Sequence, residues 1–267
     1  WCWRAGGAPS ADGKAMVDGV EKTIAGDAVL DAGSVRPTRM SVSTKAGFSI
    51  VKFAASTGNY TVPHGLESRP DLVIVKTLDS GSAPWYVWHS SLDNSTENYL
   101  RLNGTNDAST QDSGWGEGMS SSTIGLRGGY TTVGTENHVV YAWHSVPGYS
   151  AFGTYTNGAF VYTGFKPAWL MVKQAVGGTF NDYSSWTIID NARDTFNVCN
   201  TPLYANLDKA EGYRAGDTNS IGNNADIDFL SNGFKVFDRD SGETSAPSAT
   251  YIYMAWAEAP VNFSNAR

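Results

Sequence analysis

The chain has 267 residues, a formal net charge of −7 and a charged fraction of 17%. This length suffices for one large all-β domain or for two domains of ordinary size, each with a real core. The negative charge argues against a nucleic-acid partner, because such proteins cluster Lys and Arg against phosphates. No apolar run approaches the roughly 18 residues of a membrane helix, and no signal peptide opens the chain. Neither membrane insertion nor export by such a signal is therefore expected.

The composition favours β-structure throughout. Gly supplies 29 residues and aromatic residues reach 12%, a mixture typical of many short strands joined by tight turns. Residues 1–46 carry short apolar pairs between Gly, Ala, Ser and Asp, and are predicted to form an extended N-terminal arm or connector with one hairpin. Because the apolar stretch Trp1-Cys2-Trp3 makes a poor free terminus, a further segment is expected to precede it.

Residues 47–148 are predicted to form a first β-sandwich repeat. The continuous apolar run Leu72-Val73-Ile74-Val75, which follows Pro70, predicts a strand that is covered on both faces. Other strands are predicted at residues 48–53, 85–89, 99–102, 123–126 and 138–143. Five or six strands at this spacing, without a helical period, indicate a sandwich of the jelly-roll kind.

Residues 149–267 are predicted to form a second β-sandwich repeat, because the chain repeats its own motifs. Residues 163–173 share one pattern with residues 64–76: a glycine turn, a large apolar residue, a proline, strand residues and a lysine. Two tryptophan pairs are equivalent in the same order, Trp85 with Trp186 and Trp143 with Trp256, and all four are predicted to pack inside. The sequence therefore indicates two tandem, similar sandwiches that arose by duplication.

Two long polar loops, residues 103–122 and 208–228, occupy equivalent positions in the repeats. Loops of this length often carry function. An aromatic ring complements the apolar face of a pyranose, so the candidate glycan-binding residues are Trp115, Tyr130 and Tyr213. Trp115, within a glycine-rich loop, is expected to be exposed.

No catalytic constellation is evident. The four histidines lie in different strands and turns, which predicts structural roles, with His64 bonded to backbone beside Gly65. No nucleophile elbow of the Gly-x-Ser-x-Gly type occurs. Asp190 and Glu258, at strand ends, are the best acid pair for glycoside hydrolysis, but the first repeat does not duplicate them. No catalytic residue is therefore predicted.

Metal and thiol chemistry are weakly indicated. The stretch Asn223-Asn224-Ala225-Asp226-Ile227-Asp228 offers the oxygen ligands that calcium prefers, but it lacks a twelve-residue loop ending in Glu. Asx-turns are the favoured interpretation and calcium stays open; no other metal or cofactor is expected. Cys2 and Cys199 could pair only if the N-terminal tail reached the second repeat, and neither stands at a ligand-like spacing with histidine, so two free thiols are predicted.

Several motifs together resemble a known domain. They are Gly47-Phe48-Ser49-Ile50-Val51, His64-Gly65-Leu66 with Pro70, Gly148-Tyr149-Ser150 with Phe152-Gly153 and Tyr155, Thr163-Gly164-Phe165-Lys166-Pro167-Ala168, Phe229-Leu230-Ser231-Asn232-Gly233-Phe234-Lys235, Ala249-Thr250-Tyr251-Ile252-Tyr253-Met254-Ala255-Trp256-Ala257-Glu258 and Asn265-Ala266-Arg267. From about Trp3 to its end, the chain resembles a poorly characterised domain of large virion proteins of marine bacteriophages.

The resemblance implies a non-enzymatic structural protein of a phage particle, and it brings no catalytic residues. The expected function is a tail-fibre or adhesin module on the particle surface that contacts the host, with a host-surface glycan as candidate ligand. The alternatives are a purely architectural capsid-decoration or head-fibre protein, and a glycan depolymerase. The resemblance also implies other virion proteins as partners and a homo-oligomer, with a trimer expected.

Overall fold

The computed structural model of the chain describes residues 3–92, 98–110, 114–178, 184–212, 225–237 and 243–258. Within these ranges it contains nineteen β-strands and one short 3-10 turn, Ser90–Leu92, so the fold is all-β as predicted. None of the helical structure in these ranges is long and apolar enough to cross a membrane. The chain divides into unit 1 (Trp1–Tyr99 and Ser109–Ser145) and unit 2 (Leu100–Ala108 and Val146–Arg267).

Unit 1 is built on one large and one small sheet. Its strands are β1 (Lys14–Val17), β2 (Val20–Thr23), β3 (Arg39–Ser43), β4 (Phe48–Ala54), β5 (Asn59–Pro63), β6 (Leu72–Thr77), β7 (Tyr86–His89), β8 (Asn98–Arg101), β9 (Ser109–Thr110), β10 (Thr123–Arg127) and β11 (Asn137–Trp143), with the last two residues of β8 assigned to unit 2. The large sheet has the order β2-β1-β3-β4-β11-β6-β7-β8-β9, and β5 pairs with β10 in the small one. Only β1 and β3 run parallel among the pairings described.

The core of unit 1 lies between these two sheets. Val51 and Phe53 of β4 and Val140 of β11 face Val62 of β5 and Leu126 of β10, and all five side chains are buried. Because successive strand residues point to opposite faces, the intervening residues of β4 and β11 form the outer face of the large sheet. This two-layer arrangement is β-sandwich-like.

Unit 2 repeats the plan with a five-stranded and a three-stranded sheet. Its strands are β12 (Ser150–Thr156), β13 (Phe160–Tyr162), β14 (Pro167–Val176), β15 (Thr187–Asp190), β16 (Leu203–Tyr204), β17 (Ile227–Leu230), β18 (Gly233–Val236) and β19 (Thr250–Ala257). The orders are β12-β19-β14-β15-β16 and β13-β18-β17. Leu170 and Tyr253 of the larger sheet pack with Val161, Phe229 and Phe234 of the smaller one to form a separate core.

The large sheets of the two units share one cross-strand register. The strands β4-β11-β6-β7 of unit 1 correspond in order to β12-β19-β14-β15 of unit 2. Corresponding rows are Phe48–Trp143–Leu72–His89 and Ser150–Trp256–Trp169–Asp190. Two equivalences expected from the sequence, Trp143 with Trp256 and His89 with Asp190, thus occupy the same row positions. The duplication stays a prediction, and this register supports it.

The N-terminal region is folded, and the predicted extended arm is wrong in this respect. The expected hairpin exists as β1 and β2, but β1 and β3 are also strands of the large sheet of unit 1. Ala15, Met40 and Val42 reach the core. The physical reason is the alternation of Arg39-Met40-Ser41-Val42-Ser43, which places both apolar side chains on one face of β3.

Residues 100–108 belong to unit 2, although the sequence places them within the first repeat. The Trp186 indole Nε1 donates to the Arg101 carbonyl oxygen at 2.9 Å. The Ala108 amide donates to the Ala175 carbonyl oxygen on β14 at 2.8 Å. Unit 2 is therefore assembled from two separate stretches of chain, which the sequence does not indicate.

Lys173 provides the third attachment of this stretch. Its side chain is fully buried, and Nζ donates to the carbonyl oxygens of Thr105, Asn106 and Gln174 at 3.2, 2.9 and 2.6 Å. Burial lowers the pKa of Lys173 to about 7, while nearby Asp107 opposes that shift. Three acceptors match the three protons of an ammonium group, so the site is built for a lysine.

Candidate functional site

The glycan-binding residues predicted from the sequence do not form one exposed site. Trp115 is 0% exposed, and its Nε1 donates to the Asn98 carbonyl oxygen at 2.9 Å. The prediction that Trp115 is exposed is wrong because the indole fills the core of unit 1, which the polar composition of its loop conceals. Tyr130 is half-buried, with the Arg127 guanidinium carbon 4.3 Å from its ring centroid. Tyr213 lies outside the described residues.

The tryptophans predicted to pack are buried, with one partial exception. Trp143, Trp186 and Trp256 are buried as expected. Trp85, which directly precedes β7, is only half-buried and lines a groove on unit 1. The equivalence of Trp85 and Trp186 in the sequence therefore does not extend to equal burial.

Three of the four histidines are buried and bonded to backbone, which confirms the structural roles predicted for them. His64 Nδ1 accepts from the Leu66 amide at 3.1 Å, and its Nε2 lies 3.3 Å from the Ser120 carbonyl oxygen. His138 accepts from the Val133 amide, and His89 accepts from the Ser91 amide. These rings act as polar elements of the fold.

The acid pair Asp190 and Glu258 is engaged in separate ion pairs. Arg193 Nε contacts Asp190 Oδ2 at 2.7 Å, and Lys166 Nζ contacts Glu258 Oε2 at 2.8 Å. Burial raises the pKa of Asp190, but the hydrogen bonds from Arg193 outweigh it and hold the pKa below its usual value. A general acid of a glycosidase needs the opposite shift. Asp190 instead caps the loop that follows β15.

Metal ligation finds little support in the part of the chain that the structure describes. Those residues contain no group of three or more His, Cys, Asp and Glu side chains that could hold an ion. Asn223 and Asn224 of the predicted calcium loop lie outside the described residues, so calcium stays a prediction. Cys199 is a buried free thiol as predicted, whereas Cys2 is not described.

The strongly exposed aromatic side chains lie elsewhere than predicted. Among the described residues, the aromatic side chains more than about a third exposed are Phe160, Tyr162 and Phe196, at 48%, 68% and 84%. All three belong to unit 2. The sequence analysis did not predict their exposure. Two local patterns were available: Phe160 and Tyr162 flank Val161, which points into the core, and Phe196 stands between two polar residues.

The edge strand β13 presents two of these rings on its outer face. Val161 points into the core of unit 2, so Phe160 and Tyr162 point outward by alternation. Phe160 lies opposite Lys235, and Tyr162 lies opposite Gly233. A Cβ at Gly233 would come within 2.0 Å of the Val161 carbonyl oxygen, so the close strand pairing requires glycine here.

Polar groups continue this face. Lys235 lies opposite Asp228 on β17, and each is flanked by residues that point into the core, so both side chains project outward with Phe160. Burial and the nearby carboxylate of Asp226 raise the pKa of Asp228. The outer face of the small sheet thus combines an aromatic pair with one cation and one acid.

The third ring, Phe196, stands on the β15–β16 loop, residues 191–202. Asp194 fixes this loop, because its carboxylate accepts from the amides of Asn200 and Thr201 at 2.8 and 2.7 Å and from the Thr201 hydroxyl at 2.5 Å. The Asn197 side chain exchanges two hydrogen bonds of 3.0 Å with the backbone of Phe229. The loop is therefore held in one conformation while it keeps a phenyl ring in solvent.

A groove on unit 1 has the opposite character. It has a volume of about 310 Å³ and an almost wholly apolar lining, which includes Trp3, Phe48, Trp85, Tyr141 and Trp143. The Phe48 and Trp143 rings stack at 4.6 Å between centroids, and Trp3 meets Trp143 edge-on at 6.4 Å. Such a surface suits an apolar partner better than a polar ligand.

Comparison with known proteins adds a family and little more. No curated protein matches the chain. No solved structure matches it either. Residues 1–260, almost the whole chain, match the domain of unknown function DUF7483. The two-unit, all-β chain described here belongs to the DUF7483 family.

Proposed function

We propose that the chain is a non-enzymatic structural module of a bacteriophage particle that contacts a host-surface glycan through unit 2. One observation carries the proposal: the three aromatic side chains more than about a third exposed in the described part all belong to unit 2. The location on the particle rests on the sequence motifs that resemble virion proteins of marine phages. A tail-fibre or adhesin position follows from that resemblance, as do a homo-oligomeric state and other virion partners.

The chemistry of the β13 face supports a sugar ligand. An exposed aromatic ring costs free energy in water, and the C–H face of a pyranose can cover it. Sugar hydroxyls need polar partners beside the ring, and Lys235, which lies opposite Phe160, supplies a donor on the same sheet face. Tyr162 adds its own hydroxyl. Aromatic rings with a few convergent polar groups are the usual composition of small-ligand sites.

The test is glycan-array binding by the purified full chain. The double variant Phe160→Ala with Tyr162→Ala should lose at least about tenfold in apparent affinity, because two stacking surfaces contribute roughly 1.4 kcal/mol or more together. Leu78→Ala is the matched control, since Leu78 is an exposed apolar residue of unit 1 at 52% exposure. An array without any bound glycan, or an unaffected double variant, would contradict the proposal.

The groove on unit 1 favours a second candidate, a purely architectural component in which unit 1 packs against another copy of the chain. An open groove with an almost wholly apolar lining is the kind of surface that homo-oligomers bury. Light scattering on the full chain tests this: an oligomer that Trp85→Ser dissociates would support it, and a monomer at all concentrations would exclude it. The depolymerase alternative has less support, because both acids of its best pair form ion pairs.

A further inference from the structure

A small cavity lies beneath Phe196, at the end of the β14–β15 strand pair of unit 2. Its volume is about 180 Å³, and its lining includes Lys166, Asn191, Thr195, Phe196 and Phe229. Sites for drug-sized ligands and cofactors measure roughly 300–1,000 Å³. The cavity is thus too small for a nucleotide and is suited to a ligand of about one sugar ring.

Polar groups at the cavity can hydrogen-bond a ligand that carries several hydroxyls. Among the residues the structure describes, neither the Asn191 carboxamide nor the Thr195 hydroxyl has a hydrogen-bond partner, and both residues line the cavity. Lys166 Nζ contacts Glu258 at 2.8 Å in a pair that is largely exposed, and it retains further protons to donate. Two acceptors, the Asn191 carboxamide oxygen and the Thr195 hydroxyl oxygen, and several donors therefore line a cavity that also has two phenyl rings in its wall.

The cavity is formed before any ligand arrives. The bonds of Asp194 and Asn197 hold the β15–β16 loop, and Cys199 adds two backbone hydrogen bonds to Ile227, at 2.9 and 3.1 Å. These hydrogen bonds hold the loop without any contribution from the exposed Phe196 ring. A polar residue at this position would therefore leave the packing of the loop unchanged. Rigid presentation of an exposed ring lowers the ordering cost of binding.

The Asp194 carboxylate lines the cavity and accepts hydrogen bonds from two amides and a hydroxyl, whereas Lys166 is paired with Glu258. Burial raises the pKa of the Cys199 thiol to about 12, and the carboxylates of Asp194, Asp228 and Asp190 add to that rise. Lys166 opposes it only in part. A negatively charged sugar or a phosphate would be repelled by the Asp194 carboxylate at the cavity wall.

We propose that the cavity beneath Phe196 binds one uncharged sugar residue, a hexose or an N-acetylhexosamine. The pyranose ring stacks on Phe196, while Asn191, Thr195 and Lys166 hydrogen-bond its hydroxyl groups. This inference deepens the proposed function, on which it rests for the ligand class, and it assigns a site separate from the β13 face.

The experiment is a titration of the full chain, followed by amide NMR, with glucose, galactose, mannose, N-acetylglucosamine and glucuronate in turn. At least one neutral sugar should bind with a dissociation constant of roughly 1 mM, the range expected for a ligand of this size. Glucuronate should bind at least about tenfold more weakly than the best neutral sugar, because of the surrounding carboxylates.

Two variants assign the site. Phe196→Ala should weaken binding about tenfold and Asn191→Ala about fivefold, while Val176→Ala, which shortens an apolar side chain of unit 2 that is 53% exposed and lies in neither proposed site, should leave it unchanged. Both affected side chains are at the surface, so melting curves should match the parent.

The outcomes separate this inference from the proposed function. If no neutral sugar binds, or if Phe196→Ala and Asn191→Ala bind as well as the parent, the cavity is not a sugar site. If the array shows glycan binding that depends on Phe160 and Tyr162 only, the proposed function stands and the cavity inference falls. If the sugar binds in the cavity but no host glycan is retained, the inference stands and the function falls.

Discussion

At the scale of single residues, His64 shows how a titratable group becomes a structural one. Its Nδ1 accepts a hydrogen bond from the Leu66 amide, so Nε2 carries the proton and donates to Ser120. A second proton on Nδ1 would break the first bond and place a charge in the core. Burial lowers the pKa of His64 to about 4; the hydrogen bond to Ser120 opposes this and nearby His144 adds to it.

This arrangement predicts acid sensitivity of unit 1. The folded pKa of about 4 lies below the ordinary value of 6.5, so the unfolded chain binds the proton first as pH falls. Stability is therefore complete above pH 6.5 and is lost progressively toward pH 4, by up to roughly 3 kcal/mol. Urea unfolding at several pH values measures this, and His64→Gln should flatten the dependence. An equally steep dependence in the variant would exclude His64 as its origin.

Lys173 allows a second prediction at the same scale. Lys173→Met leaves three carbonyl oxygens without a donor but also removes a buried charge, so the net loss in the free energy of unfolding should be about 1–3 kcal/mol. Lys235→Met is the control, because its half-buried Nζ donates to the Gly158 carbonyl. It should cost less than about 1 kcal/mol. Equal losses in denaturant unfolding would contradict the role assigned to Lys173.

Individual residues also show where sequence reasoning stops. The roles of His64 and Cys199 followed from spacing, because an absence of nearby ligands is visible in the chain itself. The burial of Trp115 could not be predicted from the sequence, because its glycine-rich neighbours are typical of an exposed loop. The exposure of Phe196 was not predicted either. Its loop is held by Asp194 and Asn197, and bonds between side chains and distant backbone leave no periodic signal.

At the scale of elements, the pairing of β13 with β18 depends on one glycine. Gly233→Ala would place a methyl group 2.0 Å from the Val161 carbonyl oxygen, so the strands must separate. The expected loss is about 2–3 kcal/mol. Gly81→Ala is the control, since a Cβ there meets nothing within 4 Å, and it should change stability by less than about 0.5 kcal/mol. Thermal unfolding compares the two; a neutral Gly233→Ala would show that β13 can move without cost.

Elements with a clear apolar pattern were predictable. The runs that became β6 and β14 stand out because their strands lie inside sheets with both faces covered. The strands β1 and β2 were assigned only as a hairpin within an arm, since four-residue strands with polar faces resemble connectors. Their membership of the sheet depends on the parallel pairing with β3, and no local pattern encodes a partner that is 25 residues away, as between Lys14 and Arg39.

At the scale of the molecule, the assignment of residues 100–108 to unit 2 makes a prediction about fragments. A fragment of residues 146–267 lacks the carbonyl partners of Trp186 and Lys173, so it should melt below unit 2 of the full chain. Addition of a synthetic peptide of residues 100–108 should raise its melting temperature by mass action. A fragment that melts like the full chain would show that this stretch contributes nothing.

The sequence predicts two tandem modules, and the structure divides the chain into two units. Repeated motifs around Pro70 and Pro167 predicted two similar β-modules, and the shared register of their large sheets agrees with this. The division falls at residues 145/146, against the predicted 148/149. The sequence does not predict that residues 100–108 belong to unit 2. Their contacts with unit 2 are made by the backbone carbonyls of Arg101, Thr105 and Asn106, and every residue has such a carbonyl.

The assignment of residues 100–108 to unit 2 has a consequence for recombination between genes that encode such modules. A recombination joint placed after Ser145 would transfer most of unit 2 but would leave codons 100–108 with the other parent. Lys173 and Trp186 of the incoming unit would then face a foreign peptide, and their hydrogen bonds would form only where its backbone follows the same path. We therefore expect a transferred unit 2 to be more stable when residues 100–108 are transferred with it.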